Sequence, residues 1–288
     1  LIYISLFNKS ALVHNPEFYL LKAQIKLAQD DAEGALEDAI IANELDITYL
    51  DSYILLAQAY LANDMPEEAL TVLDTYGRYD DENTLYWALL GWAYHGIEEY
   101  DAALENLDKS IELNDELFEG YLYRGITQIS VGDPKAAIND LYRARRLRPI
   151  AFEASFYYAM AMVADERLQE SLSFFDFAED LAISDRQLAM VYYRRALVYD
   201  AVGLPNRAKD DFSLLILLPT GSAPRVWIIK ANSYLATPTP TLTPSNTATP
   251  TATFTLTPSP TSTFPATPPF TSTATPTPTF TPTPTSTP

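Results

Sequence analysis

The stretch WALLGWAYHGIEEYDAAL, residues 87–104, decides the fold. Trp87, Leu90, Gly91 and Tyr94 stand at i, i+3, i+4 and i+7, which places them on one face of a helix. Bulky side chains flank a glycine on that face. Glycine inside a helix costs about 1 kcal/mol relative to alanine, so its presence predicts that a second element comes close there. Ala103, twelve residues on, is the small residue expected to meet it.

Moving 34 residues in either direction reproduces the pattern. Forward, Tyr121, Gly125 and Ala137 replace Trp87, Gly91 and Ala103. Backward, Tyr53, Leu56, Ala57, Tyr60 and Ala69 take the same places, and one step further Tyr19, Ala23 and Ala35 do, with Ala42 in the following helical stretch. Two steps forward the match thins to Tyr158, Ala159, Phe175 and Ala178. A sixth copy, with Ala196, Tyr199, Ala208 and Phe212, follows a slip of three residues. Residues 16–222 therefore hold six units of 34 residues plus those three. In each unit a small residue sits midway along the first helix and another near the start of the second: Ala35, Ala69, Ala103, Ala137, Ser171 and Ala208. Antiparallel helices reach the short end of the roughly 8–10 Å range of interaxial distances only where the contact residues are small. One such pair buries little alone, so neighbours must stack. The turns agree: Gly132-Asp133-Pro134, Gly203 with Pro205, and Asp64 with Pro66 sit between paired helices, and Arg148-Pro149 closes the fourth unit.

The pattern W-x2-L-G-x2-Y followed by a small residue in the next helix, at this period, resembles the tetratricopeptide repeat. The third unit is close to the full motif; the first, fifth and sixth depart from it. The resemblance covers residues 16–222 and implies an all-α, right-handed superhelical solenoid of antiparallel helix pairs with a concave inner face. Residues 1–15 are then expected to end a truncated preceding repeat, since the chain starts at Leu1 rather than Met and reads as a fragment. Residues 223–236, with Val226, Trp227, Ile228 and Ile229, are expected to form a terminal capping helix.

Composition changes abruptly after that. From Thr237 to Pro288 there is no charged residue, and 14 of the 21 prolines lie there. Proline excludes helix, and the scarcity of apolar surface leaves nothing to offset ordering entropy. The expectation for 237–288 is a disordered, polyproline-II-like Thr/Pro-rich linker, with Phe254, Phe264, Phe270 and Phe280 as isolated aromatics or weak docking points. Its composition is that of O-glycosylated stalks and resembles the Thr-Pro linkers of secreted and surface-attached bacterial proteins. That resemblance implies an extracytoplasmic location, secreted or attached to the cell surface.

The chain carries 19 basic and 38 acidic residues, a formal charge of −19. This disfavours nucleic acid and anionic membranes, which bind through local cations, and favours basic partners. There is no cysteine, so neither a disulfide nor a thiolate metal site is available. No apolar run reaches the roughly 18–20 residues that span a bilayer.

Catalytic constellations are poor. His14 precedes Asn15-Pro16 and reads as a turn residue, and His95 ends a first helix; neither has a nucleophile at a recognisable spacing. The acids of RYDDENTLYW, residues 78–87, are adjacent rather than alternating and lack the central Gly and closing Glu of a calcium loop. No enzyme activity, cofactor or metal is expected. The basic cluster Arg143, Arg145, Arg146 and Arg148 falls on a second helix and is expected on the outer surface, solvated or docking an acidic partner.

In the resembled family the inner surface is lined by first-helix positions flanking the packing set. Here these are Leu20, Gln24 and Leu27; Ile54, Gln58 and Leu61; Ala88, Trp92 and His95; Leu122, Ile126 and Ile129; Phe156, Met160 and Val163; and Tyr193, Leu197 and Asp200. A carboxylate clamp of the kind some members carry is not expected, because Leu20, Gln24, Ile54, Gln58, Ala88, Trp92, Leu122 and Ile126 hold its positions. Two readings of this apolar row stand. The superhelix buries part of it against itself or the terminal helix, or it is a groove for an extended peptide or amphipathic helix, with Trp92, Phe156, Met160 and Tyr193 as anchors. The function expected is a non-enzymatic protein-binding scaffold. The alternatives are an accessory recognition region of a larger enzyme or sensor, and a structural spacer in a surface assembly.

Overall fold

The computed structural model describes residues 14–236, and within them there are thirteen α-helices and no strand. The expectations for residues 1–13 and for the linker at 237–288 lie outside the described residues. Six antiparallel pairs follow one another: α1 (Pro16–Ala28) with α2 (Ala32–Leu45), α3 (Leu50–Ala62) with α4 (Pro66–Gly77), α5 (Thr84–Gly96) with α6 (Tyr100–Leu113), α7 (Phe118–Ser130) with α8 (Pro134–Leu147), α9 (Phe152–Ala164) with α10 (Leu168–Leu181), and α11 (Asp185–Ala201) with α12 (Pro205–Leu217). A last helix, α13 (Arg225–Ala236), packs on α12. Each second helix contacts the first helix of the next pair, and successive first helices touch directly. The first helices therefore form one layer of a solenoid and the second helices the other.

Local chemistry sets the boundaries. Asn15, Asp31, Asn83, Asp133 and Ser184 each accept a backbone N–H with their side chains at helix N-termini. Pro16, Pro66, Pro134 and Pro205 open helices where the missing N–H has no intrahelical partner to lose. The three-residue slip has a physical form: α11 has 17 residues where the other first helices have 13, so the insertion is taken up as about one extra helical turn.

A residue in the left-handed backbone region reverses the chain inside every pair: Asp30, Asp64, Glu98, Gly132, Glu166 and Gly203, with φ between 59° and 82°. Only two of the six are glycine, although a side chain there costs about 1–2 kcal/mol. A Cβ on Gly132 would meet nothing within 4 Å, so the cost of filling that position is backbone strain alone. Gly132→Ala is expected to lower unfolding free energy by about 1 kcal/mol, and Glu98→Gly to raise it by up to about 1 kcal/mol. Urea titration of both variants checks the pair of signs.

The close approach read from Gly91 is present. A Cβ built on Gly91 would lie 2.6 Å from Leu107 Cγ and 2.9 Å from the Ala103 carbonyl oxygen. On Gly125 it would lie 2.6 Å from Leu141 Cγ. The alanines at the equivalent places, Ala23, Ala57, Ala159 and Ala196, are all fully buried. The core is continuous across pairs: Ala23 of α1, Ala35, Ala39 and Ala42 of α2, and Leu55, Leu56 and Ala59 of α3 form one cluster. Neither pair could bury that surface alone.

One feature recurs in register, an ion pair on a buried aspartate. Lys22–Asp38, Arg124–Asp140 and Arg195–Asp211 each join the first helix of a unit to the second, in units one, four and six. Arg195 and Asp211 are 8% and 5% exposed, and the guanidinium donates to both carboxylate oxygens at 2.8 Å. The corresponding places in the fifth unit hold Tyr158 and Phe174, packed edge to face at 4.8 Å between ring centroids. The same structural slot thus accepts an ion pair or an aromatic pair.

Candidate functional site

The concave face is built from the first helices, and the expected groove residues divide into those that the core consumes and those that remain available. Leu20, Ile54, Leu122, Ile126 and Phe156 are buried. Helix-to-helix packing takes most of their surface, so they reach the groove only at its floor; Phe156, expected as an anchor, instead packs on Phe152 and Phe175. Gln24 is exposed, and Gln58, Trp92, His95, Met160, Tyr193 and Leu197 are partly exposed.

Tyr193 is covered from another direction. It stacks on Trp227 of α13 at 4.6 Å with the rings 5° from parallel, and Tyr234 of the same helix donates to Asp200 at 2.6 Å. The terminal helix therefore occupies the last segment of the inner row, as the first of the two readings of that row expects. A cavity of about 490 Å³ remains beside it, lined by Phe156, Met160, Met190, Arg194 and Trp227.

His95 is held by its surroundings. Its ring stacks on Trp92 at 4.5 Å, and Trp92 stacks on Tyr123 at 4.9 Å. The Thr127 hydroxyl donates to the Tyr123 carbonyl at 2.8 Å, so its oxygen is left to accept from His95 Nδ1, 3.0 Å away. That fixes the Nδ1–H tautomer. Burial holds the imidazole pKa below its usual value, and the ring stays neutral at pH 7.

A cavity of about 550 Å³ lies at the centre of the inner face. Leu27, Leu61, Trp92, Leu122 and Tyr123 line it from the early and middle units, and Phe152, Ile183 and Gln187 from the late ones. Both ends of the solenoid contribute because the superhelix returns on itself. The Ser184 hydroxyl, at the start of α11, donates to the Asp30 carboxylate in the first turn. These residues are 154 positions apart, so one bond ties the first repeat to the sixth.

The cavity is polar at one side. Glu119 and Glu153 occupy the same place in α7 and α9, one period apart, and both line it. Arg148 donates to Glu119 Oε1 at 2.8 Å, and Gln187 donates to Glu153 Oε1 at 3.2 Å. Glu119 Oε2 is buried and, among the described residues, has no hydrogen-bond partner. Burial, and then the charges of Glu119 and Glu153, push the Tyr123 phenol well above its usual pKa. Arg148 corrects the expectation of an outward-facing basic cluster: it follows the end of α8, reaches Glu119 and lines the inner cavity. Among the described residues no three His, Asp or Glu side chains converge on a metal-sized site, and no helix is long and apolar enough to cross a membrane.

Two tetratricopeptide-repeat models match the chain, over residues 26–93 and 85–116. No curated protein sequence matches it. Among solved structures, the chain is similar to the crystal structure of the APC/C hetero-tetramer Cut9–Hcn1, with 17% identity and a TM-score of 0.65 over 77% of this chain and 42% of that one. The chain thus spans less than half the length of that relative. It is also similar to TTC0263, a thermophilic TPR protein of Thermus thermophilus, at 13% identity and a TM-score of 0.56 over 65% and 98% of the two chains. A tetratricopeptide repeat protein from Parabacteroides merdae aligns at 18% identity and a TM-score of 0.51, over 76% and 85%. At such identities the likeness concerns the fold. The repeat period, the paired helices, the repeat models matched over residues 26–116 and these structural relatives agree: the helical part of this chain has the solenoid fold of tetratricopeptide-repeat proteins.

Proposed function

We propose that the chain is a non-enzymatic protein-binding scaffold that holds an extended peptide or a helix of its partner on the concave face. The fold is one that serves protein–protein interaction. The observation that carries the finer reading is the central cavity, where Trp92 stands partly exposed among Leu27, Leu61 and Leu122. A half-buried indole in an apolar recess is the usual centre of a binding hot spot. The charge of −19 points away from nucleic acid as the partner. The composition of residues 237–288 supports an extracytoplasmic location, with the solenoid presented on a Thr/Pro-rich stalk.

The test is a random dodecapeptide display selection on the folded chain, followed by titration of the enriched peptides against two variants. Trp92→Ala is expected to weaken them about 30-fold, the equivalent of 2 kcal/mol, and Met160→Ala to leave the central site unchanged. Peptides that bind Trp92→Ala as tightly as the parent would exclude the groove. A chain that enriches no peptide would be left as an accessory segment or a spacer.

A further inference from the structure

We propose that the central cavity takes a single basic side chain of the partner, its cation against Glu119 and Glu153 and its methylenes against Trp92 and Tyr123. The proposal rests on the groove reading above and names the chemistry that the groove selects. Three carboxylates, from Asp30, Glu119 and Glu153, line the cavity against the guanidinium of Arg148, and Arg186 lines the recess that adjoins it. Arg148 satisfies only Glu119 Oε1; Oε2 is removed from water and has no partner among the described residues. A buried carboxylate oxygen without a donor is costly, and a ligand cation held beside Glu119 and Glu153 offsets part of that cost through space. The aromatic wall fits the rest of such a side chain. Trp92 and Tyr123 are stacked on each other at 4.9 Å and both line the cavity, and lysine and arginine pack their methylenes and cations against aromatic rings. A carboxylate or phosphate would face three like charges in the same space, so acidic partners are selected against. The net charge of −19 steers a basic ligand toward the molecule from a distance.

The probes are four capped hexapeptides of sequence AAXAAA, with X as arginine, lysine, leucine or glutamate, titrated calorimetrically against the full chain. The arginine and lysine peptides are expected to bind at least about tenfold more tightly than the leucine peptide, and the glutamate peptide not at all. The double variant E119Q/E153Q keeps the shape of both side chains and is expected to remove that tenfold preference. Should the double variant fail to fold by circular dichroism, Glu153→Gln alone, at an exposed position, is expected to reduce the preference measurably. Equal binding of the leucine and arginine peptides, with Trp92→Ala still weakening both, would overturn the basic-side-chain assignment and leave the groove standing. A preference that survives E119Q/E153Q would overturn it as well. No binding by any of the four would also overturn it, and the display selection would then decide the groove reading by itself.

Discussion

Arg195→Met is expected to destabilise the sixth repeat by about 3–5 kcal/mol. Arg195 is nearly buried and is shared by three carboxylates: Asp211 at 2.8 Å, and Asp176 and Glu179 at 2.6 Å. Removing the cation leaves Asp211 buried and unpaired beside two like charges, which is the costly half of breaking an internal ion pair. Asp211→Asn is expected to cost less, because Asp176 and Glu179 still hold the guanidinium. The pH dependence separates these cases. Burial already lifts the Asp211 carboxyl above its usual pKa, against the pull of Arg195. With Arg195 gone it rises further, so the penalty is full at neutral pH and shrinks as pH falls through that raised value. The double replacement R195Y/D211F installs the pair that the fifth unit carries at the same register, Tyr158 and Phe174. It is expected to recover most of the loss. Urea unfolding of the single and double variants at pH 7 and pH 5 measures all of this. A loss below about 1 kcal/mol for Arg195→Met would mean that the ion pair contributes little to the fold, and a larger loss that stays constant as pH falls would mean that it comes from packing and not from the stranded Asp211 charge.

The ion pairs also show where reading the sequence stops. The period, the small residues and the turn prolines are local, so they can be read directly along the chain. Lys22 and Arg124 stand three periods apart, and Arg124 and Arg195 two periods plus the slip of three, and so do Asp38, Asp140 and Asp211. In a chain with 38 acids they pass for solvated charges. Only the facing of two helices turns them into pairs on a buried aspartate. The non-glycine residues at positive φ were hidden for a related reason. Glu carries no signal for that backbone region and Asp only a weak one, whereas Gly132 and Gly203 carry a strong one. A comparison in register would have found the whole set from those two.

The inner face was legible in outline, and the burial along it was not. First-helix positions line the central cavity, and Trp92 stands in it. Burial, however, depends on how far each repeat rotates relative to the last, and that rotation is not written in any single unit. Small rotations summed over six units bring Ser184 against Asp30 and place Ile183 and Gln187 in a cavity with Leu27. The same summation lays α13 over Tyr193. The acids that give the cavity its character, Glu119 and Glu153, lie in the first turns of their helices, where acids are common because they favour the helix N-terminus. Their position one period apart was the available signal.

Leu107→Ala is expected to cost about 2–5 kcal/mol, and Gly91→Ala about 1–2 kcal/mol, but the two together less than their sum. Leu107 is fully buried, and its Cγ is the atom nearest the place where a Cβ on Gly91 would stand. The truncation opens space on that side, and the added methyl enters it. Alanine is also the better helix former by about 1 kcal/mol, which works for the variant once the clash is relieved. The first unit already uses this combination: Ala23 and Ala39 hold the two places there, both fully buried. Relief is incomplete because the Ala103 carbonyl oxygen stays 2.9 Å from the new methyl, and a backbone atom cannot rotate away as a leucine can. Gly125→Ala meets only Leu141 side-chain atoms at this range, so it is expected to cost less than Gly91→Ala. A double-mutant cycle by urea unfolding should give a coupling of about 0.5–2 kcal/mol in the compensating direction. Strict additivity would mean that Gly91 is required by the carbonyl alone. An alanine at 91 with no cost would mean that the close approach read from WALLGWAYHG does not constrain the third repeat.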